Sequence, residues 1–140
     1  MANDIDPDTF NNYNNMRNNY SSNWMQNTAG LQARASLGGL QYNNQTRDMM
    51  TQFGRQRAKL PGQFQARGMF GSGMYNRGRN EFQTDKVNAL GNAGQQYAQQ
   101  QLGWGQEQSG FNMARDTGYL SVEQGMAQAR AAAVARMTAY

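Results

Sequence analysis

The feature of this sequence that most constrains its fold is a large apolar residue that recurs every seven positions in the second half of the chain. The four residues at this spacing are Leu90, Tyr97, Trp104 and Phe111. A strict seven-residue recurrence keeps one seam of a helix facing a neighbouring helix when the two helices supercoil. The spacing therefore predicts a long helix, and we interpret the four residues as the coiled-coil seam of a homo-oligomer.

The positions three residues further on are less apolar than a leucine zipper requires. They are occupied by Ala93, Gln100, Glu107 and Ala114. Each heptad thus offers one large apolar side chain rather than two, which does not suit a dry two-stranded zipper. The pattern favours a bundle or ring in which large rings alternate with amides and small residues.

The first half of the chain also carries a helical stripe, although it is rich in asparagine. Its apolar members are spaced by three, three, four and four: Phe10, Tyr13, Met16, Tyr20 and Trp24. This spacing lines one face of a helix. Pro7 suits a first helical turn and Asp6 suits the N-cap before it. We therefore predict a short acidic tail over 1–6 and a first long helix over 7–59, with the glycine pair at 38–39 as either a break or a close helix crossing.

Proline and glycine interrupt the pattern between the two halves. Pro61 disfavours helix at the residue before it, which predicts that the first helix ends at 59. We expect a hinge over 60–73, formed by Pro61, Gly62, Gly68, Gly71, Ser72 and Gly73. Within it, Pro61 could open a short helix that carries Gln63, Phe64 and Gln65. A second long helix is predicted over 74–138. The predicted fold is all-α, an elongated hairpin of two long helices that is stabilised by oligomerisation.

The polarity of the chain comes from amides. Its 16 Asn and 18 Gln outnumber its 22 charged residues, and the mean hydropathy is −0.91. One interpretation is a disordered Asn/Gln-rich segment. The other is an ordered assembly whose interfaces are built from amides, which hydrogen-bond between packed helices. The 15 aromatic residues and ten methionines at helical spacing favour order, either before or upon assembly.

The sequence offers no catalytic, cofactor or metal motif. Cysteine and histidine are both absent, which excludes disulfides, the usual zinc sites and the Ser-His-Asp triad. Glu81 and Asp85 share a helical face, but we interpret them as surface ion-pair residues. Without such motifs, we expect no enzymatic activity and no cofactor. We also expect no membrane span, because the longest apolar run is AAAVA at 131–135. The acidic start MANDIDPDTF also lacks the pattern of a secretory signal.

The glycine-rich stretch GMFGSGMYNRGR at 68–79 has two interpretations. A phosphate-binding Walker A loop needs a lysine after its glycines, and Gly71-Ser72-Gly73 has none. The dinucleotide fingerprint needs a preceding strand, and none is predicted. We therefore interpret the stretch as the corner between two helices, where glycines close one helix and Ser72 caps the next.

Positive charge is concentrated at this corner. No acidic residue lies between Asp48 and Glu81, whereas six basic residues do, in a chain with a formal net charge of +4: Arg55, Arg57, Lys59, Arg67, Arg77 and Arg79. The simple interpretation is a solvated basic tip. The sharper interpretation is a tip that contacts either an acidic surface or a phosphate backbone, such as that of double-stranded DNA without sequence specificity, because clustered Arg and Lys release counterions when they meet nucleic acid.

The segment QARGMFGSGMYNRGRNEF at 65–82, followed by an amide-rich helix, resembles a pattern in small virion proteins of tailed bacteriophages. An Arg-Gly pair, two apolar residues and a Ser-Gly pair form the turn. The matching residues are Arg67, Gly68, Met69, Phe70, Ser72 and Gly73.

This resemblance implies a structural virion protein near the passage between head and tail, either internal and released with DNA at ejection or associated with the tail. Its implied partners are copies of itself and portal or tail components. The implied location is the phage particle, after synthesis in the host cytoplasm. The alternative function is a basic nucleic-acid-binding or packaging protein that acts through the 55–79 hinge.

Overall fold

A computed structural model of the protein describes residues 5–66, 68 and 73–138. The described residues form two long helices, α1 over Pro7–Ala66 and α2 over Gly73–Thr138. The two helices pack against each other as a hairpin, and this described part of the chain contains no strand. The predicted all-α hairpin is therefore confirmed.

The start of α1 is where the sequence places it. The backbone N–H of Phe10 donates to the carbonyl oxygen of Asp6 over 2.9 Å, which makes Asp6 the N-cap residue. Pro7 follows as the first helical residue, where its missing N–H is not needed. Asp8 places a negative charge in the first turn, where the helix dipole favours it.

The glycine pair at 38–39 does not break α1, which is continuous from Pro7 to Ala66. Gly38 is buried, and a Cβ atom added to Gly39 would lie 3.3 Å from the hydroxyl oxygen of Tyr97 on α2. Of the two interpretations of this pair, the close crossing is the one that the structure shows.

The predicted end of the first helix at 59 is corrected, because α1 continues to Ala66 with Pro61 inside it. A proline inside a helix costs about 3 kcal/mol through a lost hydrogen bond and a steric clash. The residues beyond the proline offset part of this cost by packing on α2. The ring of Phe64 meets Tyr75 edge to face, with centroids 5.5 Å apart.

The corner after α1 contains one described residue. Gly68 has a φ of +70°, in the left-handed region that favours glycine, and its N–H donates to the carbonyl oxygen of Gln65 over 3.0 Å. Gly68 thus closes α1, and α2 begins at Gly73, one residue before the predicted start. The other predicted corner residues, Arg67 and 69–72, lie outside the described residues, and so does most of the turn on which the phage resemblance rests.

The chain divides into two compact units, each of which contains part of both helices. Unit 1 comprises 1–33 with 104–140, and unit 2 comprises 34–103. In unit 1, Val122 is 1% exposed and Leu31 is 4% exposed. In unit 2, Ala93 is 5% exposed. The buried positions are few because rings that pack on small residues, rather than a continuous aliphatic core, hold the helices together.

Glycines of α2 receive tyrosine rings of α1 in unit 1. A Cβ atom added to Gly118 would lie 2.6 Å from Cγ of Tyr20, and one added to Gly125 would lie 2.6 Å from Cε1 of Tyr13. Distances below 3 Å leave no room for a side chain. The glycines therefore permit a helix separation that an alanine would not.

Amides and charged groups join the helices of unit 1 beside these rings. The indole N–H of Trp24 donates to Oδ1 of Asn112 over 2.7 Å, and Gln108 donates to the same oxygen over 3.0 Å. Gln108 also donates to the hydroxyl of Thr28 over 3.2 Å. The guanidinium of Arg115 lies 4.4 Å from the centroid of the Trp24 ring. Amides thus bond between packed helices, as their abundance in the sequence indicates.

Candidate functional site

The basic residues of the corner lie in unit 2, and five of the six are described. Arg55, Arg57, Lys59, Arg77 and Arg79 are all exposed, and Arg67 lies outside the described residues. The five side chains differ in the side of the hairpin that they occupy. Their positions follow from the contacts that orient the two helices.

Aromatic pairs fix the faces by which α1 and α2 meet in this unit. Phe53 contacts Phe82, with ring centroids 5.8 Å apart, and Phe64 contacts Tyr75. An α-helix turns by about 100° per residue. Arg57 therefore lies roughly 30° to one side of the α1 contact direction, at a level between the two ring pairs.

The positive charges of α2 in this region fall on two sides. Arg79 and Lys86 lie roughly 50° and 30°, respectively, from the α2 contact direction, in the same rotational sense as Arg57 on α1. In two antiparallel helices, displacement in the same rotational sense places residues on the same edge of the pair. Arg57, Arg79 and Lys86 therefore form one edge of unit 2, which we call the basic edge.

The remaining described charges of the corner turn the other way. Lys59 and Arg77 lie more than about 110° from the contact directions, in the opposite rotational sense, and Arg55 points almost directly away from α2. The three carboxylates of unit 2 also turn in this opposite rotational sense, away from the basic edge. All three are exposed: Asp48, Glu81 and Asp85. The basic edge thus carries charge of one sign, whereas the other side is mixed.

The predicted oligomer seam divides between the two units. In unit 2, Tyr97 stacks on Tyr42 of α1 with ring centroids 4.4 Å apart, and Leu90 is half-buried. In unit 1, Trp104 and Phe111 are half-buried. Phe111 lines a cavity of about 230 Å³ together with Tyr20 and Trp24 of α1.

Two members of the predicted seam therefore face α1 of the same chain. Oligomerisation through these four residues stays a prediction. A second copy would have to share a face of α2 that the hairpin already uses.

A second heptad series lies on the outer face of α2 in unit 1, and the sequence analysis missed it. Its four members are exposed: Met113, Leu120, Ala127 and Val134. Helical rotation places them roughly 160° from the positions that contact α1. The large members are 69%, 53% and 45% exposed, in chain order. The seven-residue spacing of these residues is visible in the sequence, but the small and polar residues between them make the series hard to recognise.

An open groove borders this outer series. It encloses about 450 Å³ and is lined by uncharged residues: Tyr20, Gly110, Met113, Ala114, Thr117, Gly118 and Ser121. It contains no acid, base or nucleophile pair that would support catalysis. A lining of small residues instead leaves room for the close approach of a further helix.

The described residues contain no group of three or more acidic side chains that could hold a metal ion. Within the same residues, neither helix has a stretch that is both long and apolar enough to cross a membrane.

Comparison of the chain with known protein families, with curated proteins and with solved structures found no match.

Proposed function

We propose that this chain is a non-enzymatic structural protein of a tailed-phage virion, which assembles with copies of itself near the passage between head and tail. The proposed partners are further copies of the chain and the portal or tail components beside them. The observation that carries the assembly part of this proposal is the exposed outer heptad series of α2.

The outer heptad series suits a helix of a second copy as its partner. Met113, Leu120 and Val134, with Ala127 at the position between the last two, keep a seven-residue register over three heptads. At most one large apolar residue per heptad suits a bundle or ring of helices rather than a two-stranded zipper. Exposed apolar side chains that line one face of a helix can form an interaction site. A second copy that covers this stripe removes it from water.

In unit 1, α1 and α2 are joined by tyrosine rings that pack on glycines and by amide hydrogen bonds. These contacts occupy the face of α2 that is opposite the outer series. Tyr97 and Phe111 of the predicted seam are thus used within the chain, and the outer heptad series remains available to a neighbour. A helix that packs on two opposite faces suits a bundle or ring of subunits.

The virion part of the proposal is supported by the sequence resemblance of 65–82 and by the long amide-rich helices. An internal protein that leaves with the DNA and a tail-associated subunit both satisfy this description. Mass spectrometry of purified, nuclease-treated particles of the encoding phage tests this part. Absence of the chain from such particles contradicts it.

The assembly part is tested by native mass spectrometry of the full-length chain. We expect a discrete oligomer for the wild type and a shift to monomer for the double variant Met113→Ser/Leu120→Ser. The matched control is Leu37→Ser/Leu40→Ser, which changes two residues of similar exposure on α1 (56% and 60%). The control should keep the wild-type mass.

Three results would count against the assembly proposal. A monomeric wild type at micromolar concentration overturns it. An unchanged oligomer in the Met113/Leu120 variant removes the outer heptad from the interface. Equal dissociation of both variants shows that general surface polarity, rather than this seam, controls assembly.

A further inference from the structure

We propose that the basic edge of unit 2, formed by Arg57, Arg79 and Lys86, binds the phosphate backbone of double-stranded DNA without reading its sequence. This inference goes beyond the assembly function and does not depend on it. The outer heptad series belongs to unit 1, whereas the basic edge lies entirely within 34–103.

Charge is distributed unevenly around unit 2. Three basic side chains share one edge, and the three carboxylates of the unit lie on the other side. An edge of uniform positive charge attracts a polyanion, whereas a mixed surface largely cancels its own field. Sequence proximity alone would have grouped Arg57 with Arg55 and Lys59, which the helical geometry separates.

The spacing of the three basic residues along the hairpin also suits a DNA duplex. Arg79 and Lys86 are seven residues apart on α2, which separates them by about 10 Å along the helix axis. Arg57 joins them from α1 at the level of Arg79. Duplex DNA carries one charge per about 1.7 Å of its axis. Long side chains at this separation can each reach a different phosphate.

The exposure and chemistry of the three side chains also suit phosphate binding. Arg57 and Arg79 are exposed, and Lys86 is half-buried. A half-buried lysine can lay its stem along the protein surface while its ammonium stays in water. Guanidinium groups bind phosphate oxygens in a bidentate manner, and the lysine adds a compact point charge. None of these side chains belongs to a base-reading module, so the contact is with the backbone alone.

The binding experiment uses the full-length chain and a fluorescent 30-base-pair duplex of random sequence. Fluorescence anisotropy is recorded over a range of salt concentrations. Three phosphate contacts predict a slope of log K against log salt of about −2.7, which is roughly a 40-fold loss of affinity between 50 and 200 mM salt. An oligomer that contributes several copies gives a steeper slope.

The variant Arg57→Gln/Arg79→Gln/Lys86→Gln removes the basic edge. Its control, Arg55→Gln/Lys59→Gln/Arg77→Gln, removes the same formal charge from the other side of the same corner. Gln has a helix propensity close to those of Arg and Lys, so both variants should retain the helix content of the wild type. Circular dichroism checks this point.

We expect the edge variant to lose at least 30-fold in affinity at 50 mM salt and to show a nearly flat salt dependence. The control should stay within about threefold of the wild type. Equal weakening of both variants overturns the proposal, because binding would then follow net charge. Unchanged binding of the edge variant, or no binding by the wild type at low salt, overturns it as well.

Competition experiments distinguish the possible polyanions. Duplex DNA should displace the probe at a lower charge concentration than polyglutamate does. If polyglutamate competes equally well, the edge recognises acidic protein surfaces and the assignment to DNA is wrong. Native mass spectrometry of the edge variant should show the wild-type oligomer, so failure of DNA binding and failure of assembly remain distinguishable.

Discussion

The rings of Tyr42 and Tyr97 stack face to face across unit 2, with centroids 4.4 Å apart and planes inclined by 3°. The two residues are separated by 55 positions in the sequence, and Tyr97 belongs to the seven-residue series that the sequence displays most clearly. Its hydroxyl also reaches the position of Gly39 on α1. The stacked pair shows that Tyr97, a member of the predicted oligomer seam, joins α2 to α1 of the same chain.

This pair can be measured with a double-mutant cycle of Tyr42→Leu and Tyr97→Leu. Aromatic pairs contribute about 0.5–1.5 kcal/mol beyond the area that they bury. We expect each single variant to lower the free energy of unfolding, and the double variant to lose less than the sum by about 1 kcal/mol. Urea denaturation monitored by circular dichroism supplies the four values. Strict additivity would show that the stacking adds nothing to simple burial.

Gly118 should not tolerate a methyl group, even though alanine is the better helix former by about 1 kcal/mol. Its added Cβ would lie 2.5 Å from Cδ1 and 2.6 Å from Cγ of Tyr20, and Cγ is too close to the backbone to move freely. We expect Gly118→Ala to lower stability by about 1–3 kcal/mol, as overpacked substitutions do.

The matched control for Gly118 is Gly110→Ala, eight residues earlier on the same helix. An added Cβ there meets no heavy atom within 4 Å, so the variant should gain up to about 1 kcal/mol. Combining Gly118→Ala with Tyr20→Ala should remove the clash and recover part of the loss. Thermal unfolding of all three variants tests the packing of unit 1, and a stabilised Gly118→Ala would contradict it.

Pro61 should be a site at which stability can be increased. It lies within α1, where proline costs about 3 kcal/mol relative to alanine. We expect Pro61→Ala to raise the free energy of unfolding by up to that amount and to slow amide exchange over 58–65. Gly62→Ala, the control, has open space around its added methyl group and should gain about 1 kcal/mol or less. A destabilised Pro61→Ala would mean that the proline has a structural purpose in the corner.

Several features of the fold follow from local sequence signals alone. The apolar spacing of Phe10, Tyr13 and Tyr20 determines a helix face, and Asp6 and Pro7 determine where α1 begins. These signals act over one or two turns, which is why the all-α class and the start of α1 are readable from residues that are close in the chain. The predicted end of α1 at 59 is wrong for the same reason, because the local signal of Pro61 contains no information about the contact of Phe64 with Tyr75 on α2.

Local sequence signals do not predict which basic residues share an edge of the hairpin. From the sequence, Arg55, Arg57 and Lys59 form one cluster, and Lys86 lies outside it beyond Glu81. The structure separates Arg57 from its sequence neighbours and brings it to the edge of Arg79 and Lys86. Rotation of about 100° per residue disperses neighbours around a helix, and only contacts with the second helix define which edge is which.

Local signals in the sequence specify two long helices with a glycine-rich corner, because helix formation depends on spacing and capping within a few residues. Packing between α1 and α2 selects the face of each helix that is used. Tyr97 stacks on Tyr42 of α1, Gly118 accepts the ring of Tyr20, and Met113 and Leu120 of the outer series stay exposed. These choices depend on residues that lie far apart in the chain and meet only when the hairpin closes, so no local pattern contains them.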